Sequence, residues 1–396
     1  MTKQSHIVQL IKNLCPNGVK YMPLGEVCRS IFAGGTPSTR HAEYYNGDIP
    51  WLRSGEIDFN VITSTEKTIT KLGFEKSSAK VVPAKSVVMA MTGATVAKVA
   101  TTEIDLTANQ SVCAIIPSSK LHYRYLYYYL SLNYEMLRAT AQGAMSSFNL
   151  GIIRAISIPL PPLPIQEEIV RILDAFANLI ENIDTEIKER LHELDICRNE
   201  LLCNLKCGFK PLSEIFVMRG GYTPSTKNPE FWTEEGGFPW YTMDDIRKNG
   251  RKLTKSIRQI TAKAIKSKGM FPAGTIVFAT SATIGEHAML MCPALTNQRF
   301  TALIPKLDNV FMPFYYHYGF IIDEWCLQHI KRGGFCSVDM EAFAKLSIPL
   351  PPLAEQRAIA EKLDTIEALI ANLKTEHDLR QQQYEYYREY LINLLK

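Results

Sequence analysis

Residues 247–268 read RKNGRKLTKSIRQITAKAIKSK, with nine Lys or Arg and no Asp or Glu. Like charges at this density repel one another unless an anion lies beside them. Such a run either faces solvent or grips a polyanion, and we read part of it as contacting phosphate. The candidate cations are Arg247, Lys248, Arg251, Lys252, Lys255, Arg258 and Lys263, and Asn249 and Gln259 carry amides of the type that reads adenine edges. The corresponding earlier stretch holds Lys67, Lys71, Lys76 and Lys80, diluted by Glu56, Asp58, Glu66 and Glu75, so its positive field is weaker. Two further loops are polar: GGTPST at 34–39, followed by Arg40, and GGYTPST at 220–226. Thr36, Ser38, Thr39, Thr223, Ser225 and Thr226, with the backbone N–H groups around them, could bind phosphate. The glycines equally suit a tight turn, and the residues leave both readings open. A third small polar loop, 143–149 with Ser146 and Ser147, is matched by 333–339.

Bond-making chemistry finds less support. Amino-methyltransferases hold an extruded base with an Asn/Asp/Ser-Pro-Pro-aromatic motif. Here the double prolines lie between Leu160 and Leu163, and between Leu350 and Leu353. No Gly-rich loop has cofactor spacing, and no G-x-x-x-x-G-K-[ST] occurs. Asp184, Glu186 and Lys188 have the residue types of a nuclease, but a solvated helical charge face accounts for them. Cys203 and Cys207 are read as sharing a helix face, with no second pair to complete a tetrahedral metal site. The nine cysteines show no framework spacing and are read as reduced structural thiols. We therefore assign no catalytic and no metal-binding residue.

The elements that must position these loops come in two copies. SIPLPPL stands at 157–163 and again at 347–353. Pro23-Leu24-Gly25-Glu26 matches Pro211-Leu212-Ser213-Glu214, Pro50-Trp51 matches Pro239-Trp240, and Asn109-Gln110 matches Asn297-Gln298. The offset drifts only between 187 and 190, which indicates a duplicated unit. The first part of each unit is turn-rich, with short apolar runs read as buried strands at 86–91 and 275–279 and helices at 121–137 and 311–330. The prolines then forbid a helix, and beyond them the pattern turns helical.

Ile169, Leu173, Phe176, Ile180, Ile183, Ile187, Arg190, Leu194, Cys197 and Leu201 follow alternating steps of four and three. Ile359, Leu363, Ile366, Ile370, Leu373, His377, Arg380, Tyr384, Tyr387, Leu391 and Leu394 repeat them. This is a coiled-coil seam of about five heptads. A lone helix with one apolar stripe is unstable in water, so the two are expected to pair, antiparallel. Arg190 and Arg380 occupy the same seam position; each either fixes register or snorkels to solvent. Residues 6–14 precede Pro23 as 194–202 precede Pro211, and are expected to be a detached piece of the same helix type.

Taken together, GGTPS, P-W, N-Q followed by I-P, IPLPPL, and then Gln166 or Gln356 ahead of Leu173-Asp174 or Leu363-Asp364 resemble the specificity (S) subunit of type I restriction-modification enzymes, over essentially the full chain. Unit two departs by the inserted tyrosine of GGYTPS, and Gln166 is followed by Glu-Glu where Gln356 is preceded by Glu355. The resemblance implies an α+β fold with two globular, α/β-mixed target-recognition domains in tandem repeat. Two long helices packed as an antiparallel coiled coil would separate them with pseudo-two-fold symmetry. The expected layout is an N-terminal segment and first recognition domain at 1–158, a helical region at 159–208, a second recognition domain at 209–348 and a C-terminal helical region at 349–396. It further implies a non-catalytic subunit that reads a bipartite double-stranded DNA target. Two modification (methyltransferase) subunits and the restriction (translocase/nuclease) subunits would be its partners. S-adenosylmethionine, ATP and Mg would belong to those partners, with no cofactor in this chain. A stand-alone DNA-binding regulator or coiled-coil scaffold is the alternative. No stretch approaches the ~20 apolar residues of a membrane span, and the N-terminus lacks a secretory signal, so a cytoplasmic protein is expected.

Overall fold

The computed structural model describes residues 3–143, 148–331 and 336–396. The chain divides into two compact units, 1–184 with 375–396, and 185–374. The same sheet is built in each. In the first unit five strands lie in the order Cys28–Ala33, Val112–Pro117, Val87–Ala90, Val99–Thr102, Val61–Ile62. In the second the order is Phe216–Gly220, Phe300–Pro305, Ile276–Ala279, His287–Leu290, Lys252–Leu253. The pairing is antiparallel except at the last strand, which is parallel in both units.

The central strands are apolar without alternation because both of their faces are covered. Val87 and Met89 enter one apolar cluster while Val88 and Ala90 enter another. Ile276 and Phe278, against Val277 and Ala279, divide in the same way. A pleated strand points successive side chains to opposite faces, so a strand buried on both sides needs a continuous apolar run. The expected helix at 121–137 is present but interrupted at Asn133, giving Tyr123–Leu132 and Tyr134–Gly143. Its counterpart is continuous, Met312–Gln328.

The repeated SIPLPPL now has a physical account. Ser157–Pro159 forms a two-stranded antiparallel ribbon with Tyr21–Pro23, and Ser347–Leu350 does so with Gly208–Pro211. Tyr125 donates its hydroxyl to the Pro159 carbonyl at 2.8 Å, and Tyr315 donates to that of Pro349 at 2.9 Å. The heptapeptide therefore closes each domain against its own first strand, and the prolines that follow end the ribbon so that a helix can start.

Those helices are Leu163–Cys203 and Leu353–Asn393, 41 residues each and about 60 Å long. No seam residue of either helix is exposed, while most positions between them are. Within the first unit Phe176 stacks on Tyr387 at 5.1 Å, and His377 Nε2 lies 3.5 Å from Asp184. Within the second, Arg198 donates to Glu367 at 2.6 Å. In the second unit Leu201 also lies beside Ile359. Numbers rise along one helix as they fall along the other, so in each unit the two run antiparallel. Arg190 pairs with Glu186 and Glu193, and Arg380 with Glu376, each on its own helix. Their heads thus turn out of the seam, which resolves the open choice in favour of snorkelling.

The N-terminal helix, Lys3–Leu14, buries Ile7 completely in the first unit's core beside Ile165 and Ile169. In the second unit Leu194 and Leu202, on the last turns of the first long helix, pack in the core that holds Ile359 and Leu363. The short helix supplies to one unit what those turns supply to the other. One expectation is corrected: the first long helix ends at Cys203 and Cys207 lies beyond it, so the two thiols share no helix face. Among the described residues, no helix is long and apolar enough to cross a membrane.

Candidate nucleic-acid interface

Three sequence signatures that lie far apart in each repeat meet at one surface loop. Backbone N–H groups of Gly34 and Gly35 donate to Val112 and Ala108, and those of Gly221 and Tyr222 donate to Phe300 and Thr296, all at 2.8–3.0 Å. A β-carbon on Gly34 would sit 2.2 Å from the Ala108 carbonyl oxygen, and one on Gly221 would sit 2.2 Å from that of Asn297. Neither glycine has a positive φ. Glycine is needed here because two backbones touch, not for the dihedrals of a tight turn. The tryptophan of the P-W pair, buried in both units, donates its indole N–H to the loop: Trp51 to Gly35 at 3.1 Å and Trp240 to Tyr222 at 3.0 Å.

The N-Q pair completes the loop. Asn109 Oδ1 accepts from the Ser111 N–H, and Asn297 Oδ1 accepts from that of Arg299. Each Asn is thus spent on a turn. The turn holds Gln110 and Gln298 exposed, where each side-chain oxygen accepts the hydroxyl of Thr36 or Thr223. Neither glutamine was among the candidates read from the sequence. Their recurrence in both copies was the available signal, but nothing in one dimension says that residues 36 and 110 touch. Ser38, Thr39, Arg40, Ser225 and Thr226 are exposed on the same loops, with Lys67, Lys71, Lys76 and Lys80 exposed elsewhere on the first unit. Ser146 and Ser147 lie outside the described residues.

The basic run holds no acid of its own, but the fold brings carboxylates from elsewhere in the chain to it. Arg251 Nη1 lies 2.8 Å from Asp323 Oδ2 and 3.0 Å from His287 Nδ1. Lys252 Nζ lies 2.8 Å from Asp364 and 3.0 Å from Glu367. Lys263 pairs with Glu230 at 3.2 Å and Arg247 with Asp244 at 3.5 Å. Arg258 covers the Trp232 ring at 3.7 Å. The Asn249 amide donates to the Lys255 carbonyl, and the Gln259 oxygen accepts from the Gly237 N–H. Arg251 and Lys252 are therefore structural cations, part-buried in strand and helix contacts. Arg247, Lys248, Lys255, Arg258 and Lys263 remain exposed.

His317, Asp364 and Glu367 have the residue types of a metal site. Lys252 already places its ammonium against both carboxylates, so a cation of the chain itself occupies that position. Burial pushes the Asp364 carboxyl up, but hydrogen bonds from His317 and Lys252 outweigh it and bring it down to about 2. Burial likewise drives His287 down, against the opposing pull of Asp323. The matching aspartate of the first unit, Asp174, accepts from Arg124 at 2.9 Å and from the Tyr128 hydroxyl. Each repeat thus fastens its domain helix to a long helix through one aspartate.

A second fastening recurs without change. Gln166, fully buried, donates to the carbonyls of Lys120 and Pro161 and accepts from the His122 N–H. Gln356, also fully buried, donates to Asn309 and Pro351 and accepts from Phe311. In each case a single amide ties the long helix to the loop before the domain helix.

Fold and surface together define a tandem-repeat protein: two like sheet domains, each bearing the same Gly-Thr-Gln loop and each docked on both long helices. The model of the type I restriction modification DNA specificity domain matches residues 16–193 and again 205–379. The specificity subunit of type I restriction enzyme EcoR124I/EcoR124II from Escherichia coli is 32% identical over 74% of this chain and 77% of its own length. That of EcoprrI, also from Escherichia coli, is 41% identical, but the match covers only 49% of this chain and 52% of that protein. The crystal structure of the S subunit from M. genitalium covers 96% of both chains with a TM-score of 0.60 at 15% identity, a likeness of fold. The chain belongs to the type I restriction-modification DNA specificity family.

Proposed function

We propose that this chain is the non-catalytic, DNA-reading subunit of a type I restriction-modification complex in the cytoplasm. Each sheet domain reads one half of a bipartite duplex target, and the long helices set the distance between the halves. Two methyltransferase subunits and the restriction subunits join it, bringing S-adenosylmethionine, ATP and Mg. The observation that carries this reading is the recurrence, on both domains of one chain, of the same loop in the same hydrogen-bonded setting. The stand-alone regulator is set aside on the family membership.

The test is to co-express the chain with a modification partner and map methylated adenines by sequencing. Exchanging residues 209–348 for those of a relative with another target should change one half of the methylated site and leave the other intact. A site changed in both halves, or in neither, rejects the two-reader assignment.

Phosphate contact by the exposed part of the basic run makes a separate prediction. Replacing Arg247, Lys248 and Lys255 by Ala should lower the slope of log K against log salt by about 2.7, at roughly 0.9 per phosphate released. Binding measured by fluorescence anisotropy across a salt series reads this directly. An unchanged slope places the run away from DNA.

A further inference from the structure

Family membership leaves open which groups the two domains share in holding DNA when they read different bases. We infer that Gln110 and Gln298 donate their side-chain N–H groups to the phosphodiester backbone, one in each half-site. This rests on the reading of the chain as a DNA-binding subunit.

The inference comes from how each loop is built. Close backbone contact at Gly34 and Gly221, the indole N–H of Trp51 and Trp240, and the Asn109 and Asn297 turns all fix the same short segment. What that framework presents is a Thr–Gln pair with its glutamine exposed in both units. An exposed hydrogen bond between neutral side chains adds little net stability, so stability does not account for building it twice. The pair has a consequence for direction. In both loops the threonine hydroxyl occupies the glutamine oxygen, so the group the exposed glutamine has left to offer is its amide nitrogen, a donor only. A donor-only group suits an anion.

The two domains also differ where a base reader must differ. The residue after the glutamine is Ser111 in one and Arg299 in the other, and the loop itself is one residue longer in the second. A contact common to both must fall on what every duplex offers, and that is the phosphate backbone, not a base edge. The flanking hydroxyls of Ser38, Thr39, Ser225 and Thr226 are exposed on the same loops.

The experiment uses the full chain assembled with its methyltransferase subunits. Gln110→Glu, Gln298→Glu and the double variant keep an oxygen to accept the threonine hydroxyl, so the loop is preserved while the donor becomes an anion. Binding is measured to a cognate duplex and to a scrambled duplex, with melting of each complex as a control. Each single variant should weaken binding to both duplexes alike, by roughly ten-fold, the size of a hydrogen bond to a charged group. The double variant should lose about the product of the two. The pattern of methylated adenines should stay unchanged, and melting should match the parent. Undiminished binding overturns the inference. A loss confined to the cognate duplex, or a shifted methylation pattern, overturns it too, by making these residues base readers. Gln110→Ala and Gln298→Ala serve as second variants; if they bind both duplexes as the parent does, the donor has no partner on DNA. Failure of the parent complex to bind any duplex would reject the DNA-reading assignment itself, a separate result.

Discussion

Changing Arg251 to Met should lower the unfolding free energy of the second unit by about 3–5 kcal/mol, the range found when one partner of a buried ion pair is removed. Arg251, just before the edge strand Lys252–Leu253, reaches Asp323 on helix Met312–Gln328, which is 5% exposed, and His287 on the neighbouring strand His287–Leu290, which is fully buried. Its Nη1 touches Asp323, the His287 ring and the His287 carbonyl. Without it the Asp323 carboxylate stays in an apolar setting with no cation, flanked by the Phe278 and Phe320 rings that pack on His287. Methionine keeps the length of the side chain, so little of the loss comes from a cavity. Urea denaturation followed by circular dichroism measures the change. A loss below about 1 kcal/mol would mean that the pair is solvated and structurally idle. Adding Asp323→Leu to Arg251→Met should recover most of the loss, because the uncompensated charge goes with it.

The glutamine clamps should be about as costly to remove. Gln356→Leu has nearly the same volume but leaves the Phe311 N–H and the carbonyls of Asn309 and Pro351 without a partner. Each buried backbone group left unsatisfied costs about 1–3 kcal/mol. With partial relaxation the total should be about 3–5 kcal/mol, and Gln166→Leu should lose as much in the first unit. Gln356→Glu is the sharper variant. A carboxylate accepts from Phe311 but meets two carbonyl oxygens where the amide had donated, so it should be no better than Leu. If Glu restored parental stability by the same denaturation assay, the donor half of the clamp would be irrelevant.

The sequence told some of this plainly and other parts not at all, for a physical reason. The seam from Ile169 to Leu394 was legible because helical periodicity is local: steps of four and three fall on one face whatever the rest of the chain does. The buried strands were legible from unbroken apolar runs such as Ser86–Val87–Val88–Met89, and the repeat from identical heptapeptides. The fate of the basic run was not. Asp323 lies 72 residues from Arg251, and Asp364 lies 112 residues from Lys252. A run without acids in one dimension can be well neutralised in three. The Thr36–Gln110 contact spans 74 residues and was hidden in the same way, although both of its members were visible as repeated motifs. The glycines of GGTPST left a phosphate loop and a tight turn equally open; only packing reveals that they are there for lack of bulk.

The ribbon that pairs Tyr21–Pro23 with Ser157–Pro159, and Gly208–Pro211 with Ser347–Leu350, brings the two ends of each domain side by side. A block whose chain leaves where it arrived can be replaced whole, because the flanking fold sees only two adjacent strands. The peptide SIPLPPL stands at the same edge of both blocks, so each block ends on the same ribbon ahead of its helix. Exchange of one block for the other's counterpart would leave the ribbon and the helix behind it in place.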